Sequence, residues 1–191
     1  NRNSMDQYKS HADVFQRAGE ECNKAGLKFA YHNHEFEFFD FDGVRPYDML
    51  LEQISQDIML MEMDFYWMAV AGEEPHKYFT KYPGRFPMCH IKDRSINGDM
   101  AYVGEGVLDF NGILNMATEA GLKHFFVEHD TPADDVLNAQ LRNRDVGKSK
   151  AGHQTALQSG IDFARFYKGR RGAQRIQERL VGRTGTPFFA L

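Results

Sequence analysis

The sequence has little cysteine and no long apolar segment, and each shortage excludes a class of protein. Its two cysteines, Cys22 and Cys89, fit neither a C-x-x-C motif nor a disulfide framework. We therefore expect free thiols in a reducing compartment, which predicts a cytoplasmic protein. No segment approaches the roughly 18 apolar residues of a membrane span, and the residues from Asn1 onward lack the pattern of a signal peptide.

An excess of positive charge is also missing. The chain has 23 Lys and Arg against 27 Asp and Glu, a formal net charge of −4. No global field therefore favours nucleic acid or an acidic membrane surface, and we expect neither as a partner. The end of the chain is locally basic but has no interleaved aromatic residues, so residues 170–191 are predicted to be a solvated, poorly ordered tail.

Helical spacing of apolar residues alternates with apolar runs of strand length. The pattern predicts helices over Tyr8–Cys22, 46–54, 74–84, 106–121 and 153–169, and strands over 27–33, 58–67, 85–93 and 122–130. Strands that alternate with helices, and that are apolar on both faces, indicate an α/β fold with a parallel sheet. Residues 131–152 are polar and rich in Gly, Asp and Lys, which predicts a surface insertion.

All four predicted strands end in ionisable residues. These residues are His32 and His34; Asp64; His90, Lys92 and Asp93; and Glu128, His129 and Asp130. The carboxyl ends of parallel strands meet at one rim, which is where α/β folds build their sites. Residues two apart on a strand share a face, so several of these side chains are expected to converge on one point.

A divalent metal ion is the simplest account of such a convergence. A single His or Asp at a strand end is more often an ordinary loop residue. Several carboxylates and imidazoles in one dry site, however, repel one another or stay unsatisfied unless a cation joins them. Two imidazoles with two or three carboxylates suit Mn²⁺, Co²⁺, Fe²⁺ or Zn²⁺ better than Ca²⁺. The identity of the metal is left open.

Two further positions are candidates for contact with a substrate. Trp67 follows the strand end at Asp64, where it is either a packing residue or an aromatic wall for a sugar ring. Glu105 lies between two glycines in "VGEGVLDF", whose spacing matches neither of the common phosphate-binding motifs. That stretch is predicted to be a tight turn before a helix, with Glu105 facing the rim as the alternative.

Five stretches in order resemble the sugar phosphate isomerase/epimerase superfamily. They are "GLKFAYHNHEFEF", "MEMDFYW", "KYPGRFPMCHIKD", "VGEGVLDF" and "FVEHD". This xylose-isomerase-like group includes inosose dehydratases and apurinic-endonuclease-like enzymes. The resemblance implies a (βα)8 TIM barrel, a divalent metal and proton transfer on a sugar or polyol. It covers about Met5 to Asp130 and, more loosely, the helix at 153–167.

The resemblance also implies a ligand set for the metal. Its second, third and fourth members map onto Asp64, His90 and Glu128. The first position departs from the usual Glu-Asn-His, because this chain has histidine there. Either His32 takes the ligand role or Glu37 folds back to do so, and the strand register favours His32.

The resemblance further implies that about four strands of the barrel are absent. The chain is therefore expected to be the C-terminal half of a TIM barrel, with 1–169 as the partial barrel and an open edge on each side of the sheet. The lack of an initiating Met also suggests a piece of a longer protein. We expect either a missing N-terminal half or self-association.

The favoured hypothesis is a metal-dependent isomerase, epimerase or dehydratase acting on a sugar, inosose or keto-sugar. His34 or Glu37 would remove the proton next to a metal-bound carbonyl, and Lys92 or Glu128 would handle the second proton, with Lys92 preferred. One alternative is a non-catalytic half-barrel. The other is an apurinic-endonuclease-like phosphodiesterase, which the net charge of −4 argues against.

Overall fold

A computed structural model describes residues 3–131 and 188–190. The helices are α1 (Met5–Lys24), α2 (Pro46–Gln53), α3 (Phe65–Val70), α4 (Pro75–Lys81), α5 (Phe110–Asn115) and α6 (Ala117–Ala120), with a 3₁₀-helix at Glu35–Phe38. The strands are β1 (Lys28–His32), β2 (Met59–Asp64), β3 (Met88–Ile91), β4 (Asp93–Arg94), β5 (Met100–Ala101), β6 (His124–Val127) and β7 (Phe188–Ala190). The predicted alternation of helices and strands is confirmed up to β6. Within these ranges, no helix combines the length and apolarity needed to cross a bilayer.

The first helix begins at a capping residue and buries one apolar face. The hydroxyl of Ser4 accepts a hydrogen bond from the backbone N–H of Gln7. Tyr8 and Phe15 are buried on the face that packs on the sheet. Gly19, on the same face, lies so close to Ile58 that an added Cβ would clash with the Ile58 carbonyl oxygen. Only glycine permits this approach, which seats α1 against the start of β2.

The main sheet is parallel, with the strand order β6-β3-β2-β1-β7. Strand β2 shows how the sheet divides core from site. Met59, Met61 and Met63 are fully buried in the hydrophobic core. Glu62 and Asp64 alternate with them and therefore point to the opposite face. That alternation directs the carboxylates of β2 to the face opposite the buried methionines.

Three local structures depart from the sequence prediction. The predicted strand over 58–67 ends at Asp64, where the Asp64 side chain accepts a hydrogen bond from Trp67 N and starts α3. A 3₁₀-helix at Glu35–Phe38 follows the predicted strand over 27–33, in a stretch where the sequence predicts no helix. The predicted helix over 106–121 is divided at Met116 into α5, which Asp109 caps, and α6, which ends at Gly121 (φ 81°).

One edge of the sheet is covered by the end of the chain. Strand β7 runs parallel to β1, with Lys28 opposite Phe188 and Ala30 opposite Ala190. The sequence predicts open edges on both sides and no strand in the basic tail, so this pairing is a finding of the structure. Of the predicted insertion only Thr131 is described, and the predicted helix over 153–169 and the rest of the tail lie outside the described residues.

Candidate metal centre

Three adjacent strands each deliver one candidate ligand to the same place. His32 is the last residue of β1, Asp64 is the last residue of β2, and His90 lies in β3. In the register, Asp64 is paired with His90, and His32 is paired with Glu62, two residues before Asp64. One potential ligand atom from each of His32, Asp64 and His90 lies within 4.8 Å of the other two. We call these three residues the ligand cluster.

The distances within the ligand cluster centre on one carboxylate oxygen. Asp64 Oδ2 lies 3.7 Å from His32 Nε2 and 3.7 Å from His90 Nδ1. The imidazole rings of His32 and His90 lie 4.1 Å apart. Glu128, just after β6, joins the group through Oε2, which is 2.7 Å from His90 Nδ1. The structure thus brings together the four predicted metal ligands.

Lys92 is a buried cation beside the ligand cluster. Its Nζ atom lies 3.1 Å from Asp64 Oδ2, 2.8 Å from Glu128 Oε2 and 3.1 Å from Asp130 Oδ1, and its side chain is 2% exposed. Burial opposes its charge, but these carboxylates outweigh burial and raise the pKa of Lys92. Lys92 therefore stays an ammonium ion, which disfavours the proton-transfer role that the sequence suggests for it.

The electrostatics of the two histidines differ. Burial and the neighbouring positive charges hold the pKa of His32 well below its usual value, so His32 is neutral. Burial acts in the same direction on His90. For His90, however, the hydrogen bonds to Glu128 and Glu62 outweigh the effect of burial and raise the pKa to about 9.

The carboxylates differ in a similar way. Burial raises the pKa of Asp64 to about 6, against the opposing charges of Lys92 and His90. Burial also opposes the charge of Glu128, but His90 and Lys92 lower the pKa of Glu128 overall. Glu128 is therefore ionised at neutral pH, the form in which a carboxylate binds a metal.

The chemistry of the donors fits a borderline divalent cation. Two imidazole nitrogens and two carboxylate oxygens suit Mn²⁺, Co²⁺, Fe²⁺ or Zn²⁺. Among the described residues, the buried Asp64 Oδ2 and His32 Nδ1 have no well-aligned hydrogen-bond partner. A bound cation would give Asp64 Oδ2 a second positive partner beside Lys92 Nζ, which lies 3.1 Å away.

The two residues predicted as alternative bases occupy different surroundings. The ring of His34 lies 4.9 Å from that of His32 and 5.5 Å from that of Trp67. Glu37 is fully buried, and its two oxygens accept hydrogen bonds from the Tyr31 hydroxyl (2.5 Å) and from His34 N (2.7 Å). His34 thus borders the ligand cluster, whereas Glu37 holds the backbone at the start of the 3₁₀-helix.

Trp67 and Glu105, the two residues predicted to contact a substrate, lie in different parts of the structure. Trp67 lies at the ligand cluster, with its ring 5.8 Å from Lys92 Nζ. Glu105 is exposed in the turn after Val103 and bonds through its backbone N–H to Tyr102 O. The structure therefore groups Trp67 with the ligand cluster, and Glu105 stays a prediction.

Asp93 organises the turn that contains Glu105. Its buried carboxylate accepts hydrogen bonds from the backbone N–H groups of Arg94 (2.8 Å), Gly104 (2.8 Å), Gly106 (3.0 Å) and Leu108 (3.2 Å). A Cβ at Gly106 would clash with the same carboxylate. The glycines of "VGEGVLDF" therefore let the backbone wrap an internal anion, and this turn is not a phosphate site.

We expect the Asp93→Ala substitution to lower the free energy of unfolding by about 3 kcal/mol or more, because it leaves several backbone donors without their charged acceptor. Urea denaturation measures this loss. Asp99→Ala, at an exposed position in the neighbouring β4–β5 turn, is the control and should change stability by less than about 0.5 kcal/mol. Equal effects of the two substitutions would contradict the central role of Asp93.

Two buried residues near the ligand cluster are not singled out by the sequence. Asn33 Oδ1 accepts from Asp64 N (3.0 Å), and Asn33 Nδ2 donates to Asp64 O (3.5 Å). Glu62 Oε1 lies 3.2 Å from His90 Nε2. The sequence does hold a signal for Glu62, since it shares a face with Asp64 on a strand whose other face is all methionine. Asn33 stands between two histidines and gives no such signal.

Comparison with known proteins supports a family assignment. No protein-family model matches the sequence. Inosose dehydratase from Bacillus cereus is 22% identical over 162 residues, covering 74% of this chain and 54% of that protein. Inosose dehydratase from Lacticaseibacillus casei is 22% identical over 134 residues, covering 61% and 44%. A sugar phosphate isomerase/epimerase from Parabacteroides distasonis superposes with a TM-score of 0.65 at 27% identity, covering 78% of this chain and 54% of that one.

The chain resembles the sugar phosphate isomerase/epimerase superfamily in sequence and in fold. A xylose isomerase domain protein from Alicyclobacillus acidocaldarius shares the fold, with a TM-score of 0.53 at 17% identity. Together with the parallel strands β6-β3-β2-β1, these neighbours confirm the predicted C-terminal half of a TIM barrel. The chain spans about half the length of the curated relatives it matches, between 44% and 54%.

Proposed function

We propose that this chain carries the metal-binding part of an isomerase, epimerase or dehydratase that acts on a sugar, an inosose or a keto-sugar. The observation that carries the proposal is the meeting of His32, Asp64 and His90 at the ends of adjacent parallel strands. The similarity to inosose dehydratases and to a sugar phosphate isomerase/epimerase supports this class of substrate.

The proposed ligands are His32, Asp64, His90 and Glu128. When bound, a divalent cation would act as a Lewis acid that polarises the substrate carbonyl and makes the neighbouring C–H group more acidic. Asp64 and Glu128 supply the negative charge that retains the cation, and the neutral His32 supplies a nitrogen donor.

His34 is the proposed base. Its ring borders both His32 and Trp67, so a sugar held against Trp67 would place its reacting carbon near this imidazole. Glu37 supports the same step indirectly, because its buried carboxylate, on the 3₁₀-helix itself, accepts a hydrogen bond from His34 N. We therefore assign proton removal to His34 and the support of its backbone to Glu37.

Lys92 is proposed to stabilise negative charge. Its ammonium group remains protonated between three carboxylates and lies 5.8 Å from the ring of Trp67. A fixed cation at this place would stabilise the enolate oxygen that develops when the proton leaves. Trp67 is proposed to form the wall on which the substrate ring packs.

Metal binding is expected to raise the melting temperature of the purified chain after treatment with a chelator. Mn²⁺, Co²⁺ or Zn²⁺ at about 100 times its dissociation constant adds about 2.7 kcal/mol of stability. For a chain of this size that corresponds to a shift of about 5–10 °C. Differential scanning fluorimetry measures the shift, and Ca²⁺ should give much less because it disfavours nitrogen ligands.

A pair of histidine variants locates the effect. His32→Gln should remove most of the shift, whereas His76→Gln, at an exposed position on α4, should keep it. An absence of any shift in the unmodified chain would overturn the metal centre. A shift that persists in His32→Gln would place the metal elsewhere.

The chemistry is tested separately by hydrogen exchange into the substrate. An inosose incubated in D2O with the metal-loaded chain should gain deuterium next to its carbonyl, as followed by NMR. This readout detects proton removal whether the final product is an isomer, an epimer or a dehydrated sugar. Metal binding without exchange would retain the centre and overturn the proposed reaction for this chain.

A further inference from the structure

His90 is held from both sides by carboxylates. Its Nδ1 atom faces the ligand cluster, 3.7 Å from Asp64 Oδ2 and 2.7 Å from Glu128 Oε2. Its Nε2 atom faces away from them, 3.2 Å from Glu62 Oε1. The two ring nitrogens therefore have different partners, and only Nδ1 is directed at the proposed metal position.

Glu62 is well placed to act on His90 from below the carboxyl end of β2. It lies on β2 two residues before Asp64, so the two side chains share a face and Glu62 sits deeper in the sheet. Its side chain is 8% exposed. In the register Glu62 is paired with Met88, two residues before His90, which places it below the imidazole.

We propose that Glu62 is a positioning residue that fixes which nitrogen of His90 faces the metal. By accepting a hydrogen bond from Nε2–H, Glu62 holds the imidazole ring in the orientation that directs Nδ1 at the ligand cluster. A histidine that binds a metal commonly donates its other N–H to a carboxylate, which also fixes the ring orientation. This inference rests on the proposed metal centre.

Glu62 differs in this respect from Glu128, although both contact His90. Glu128 lies on the side of Nδ1 and also contacts Lys92, as a metal ligand in this centre would. Glu62 contacts the opposite nitrogen of His90, Nε2, which faces away from the ligand cluster. Loss of Glu62 should therefore weaken metal binding without removing a ligand, a smaller effect than loss of Asp64.

Two substitutions at Glu62 separate hydrogen bonding from charge. Glu62→Gln keeps an oxygen that can accept from Nε2–H, whereas Glu62→Leu fills the buried space without an acceptor. Isothermal titration with Zn²⁺ should give an affinity within a few fold of the parent chain for Glu62→Gln. For Glu62→Leu the affinity should be about 10–100-fold weaker. Circular dichroism and the melting temperature without metal show whether each variant is folded.

Nitrogen-15 NMR of the zinc-loaded proteins provides a readout that a merely structural role would not change. The parent chain and Glu62→Gln should show the hydrogen of His90 on Nε2 and the metal on Nδ1, and Glu62→Leu should lose that preference. Equal Zn²⁺ affinity and the same hydrogen position in all three proteins would overturn the role of Glu62 and leave the metal centre standing.

The remaining outcomes also decide the question. A loss of affinity in Glu62→Gln as large as in Glu62→Leu would show that the charge matters rather than the hydrogen bond, which overturns the positioning role. If the parent chain binds no Zn²⁺, the proposed metal centre fails, and the role of Glu62 fails with it.

Discussion

Asp64→Asn is expected to weaken binding of Mn²⁺ or Zn²⁺ by more than about 100-fold while it keeps the cap at the start of α3. The two carboxylate oxygens of Asp64 have different partners. Oδ1 caps α3 by accepting a hydrogen bond from Trp67 N (3.0 Å), and Oδ2 faces His32 and His90. Asparagine caps a helix about as well as aspartate. The substitution therefore removes the charge at the ligand cluster and keeps the helix start.

The effect should exceed the roughly 10–100-fold loss that follows removal of a partner behind a metal ligand, because Asp64 is itself a proposed ligand. Hydrogen exchange into an inosose should fall by about 10³-fold, since a major electrostatic stabilisation of the transition state is lost with the cation. Titration calorimetry and NMR measure the two effects.

A matched control exists at another helix start. Asp109 caps α5 through Gly112 N (3.0 Å) and is exposed away from the ligand cluster. Asp109→Asn makes the same chemical change at the same kind of cap, so metal affinity and exchange should stay at the parent values. Unchanged metal affinity in Asp64→Asn would show that the ligand cluster does not bind the metal.

The sequence predicts the parallel strands β1, β2, β3 and β6 because each of them is mostly apolar and has ionisable residues at or just after its end. β2 is the clearest case, where Met59, Met61 and Met63 alternate with side chains for the opposite face. The convergence of Asp64 and His90 then follows from parallel register alone, since those two residues are paired. Local composition was therefore enough to find the rim and its ionisable residues, and the family resemblance selected the four candidate ligands among them.

The remaining features depend on contacts that local composition does not contain. Phe65, Tyr66 and Trp67 are strand-forming residues, and the sequence continues β2 through them. In the structure the hydrogen bond from Trp67 N to Asp64 starts a helix at that point. Likewise, Glu37 becomes a capping carboxylate only because the chain turns at His34. The pairing of β7 with β1 joins residues about 160 positions apart, beyond the reach of any local pattern.

Lys92→Met is expected to lower the free energy of unfolding of the metal-free chain by about 3–5 kcal/mol. Methionine has nearly the shape of lysine, so the substitution removes mainly the buried charge. Asp64 Oδ2 and Glu128 Oε2, at 3.1 and 2.8 Å, then lose their nearest fixed cation, and an uncompensated buried charge is strongly destabilising. Urea denaturation at constant m-value measures the loss.

The control is a lysine that has an ion pair but no burial. Lys81 lies 3.1 Å from Glu52, with both side chains more than half exposed. Because solvent screens such pairs, Lys81→Met should cost no more than about 1 kcal/mol. Similar losses of unfolding free energy in Lys81→Met and Lys92→Met would show that the burial of Lys92 among carboxylates does not increase its contribution to stability.

Metal addition distinguishes the proposed role of Lys92 from a purely structural one. Lys92 and a bound cation would share Asp64 and Glu128, so the ammonium group repels the cation across a short distance. Lys92→Met should therefore bind Zn²⁺ more tightly than the parent chain. Its rate of hydrogen exchange into an inosose should nevertheless fall, because the variant lacks the ammonium group that is proposed to stabilise the enolate oxygen. Weaker Zn²⁺ binding in a folded Lys92→Met variant would contradict this arrangement, because it would mean that Lys92 assembles the centre rather than competing with the metal for its carboxylates.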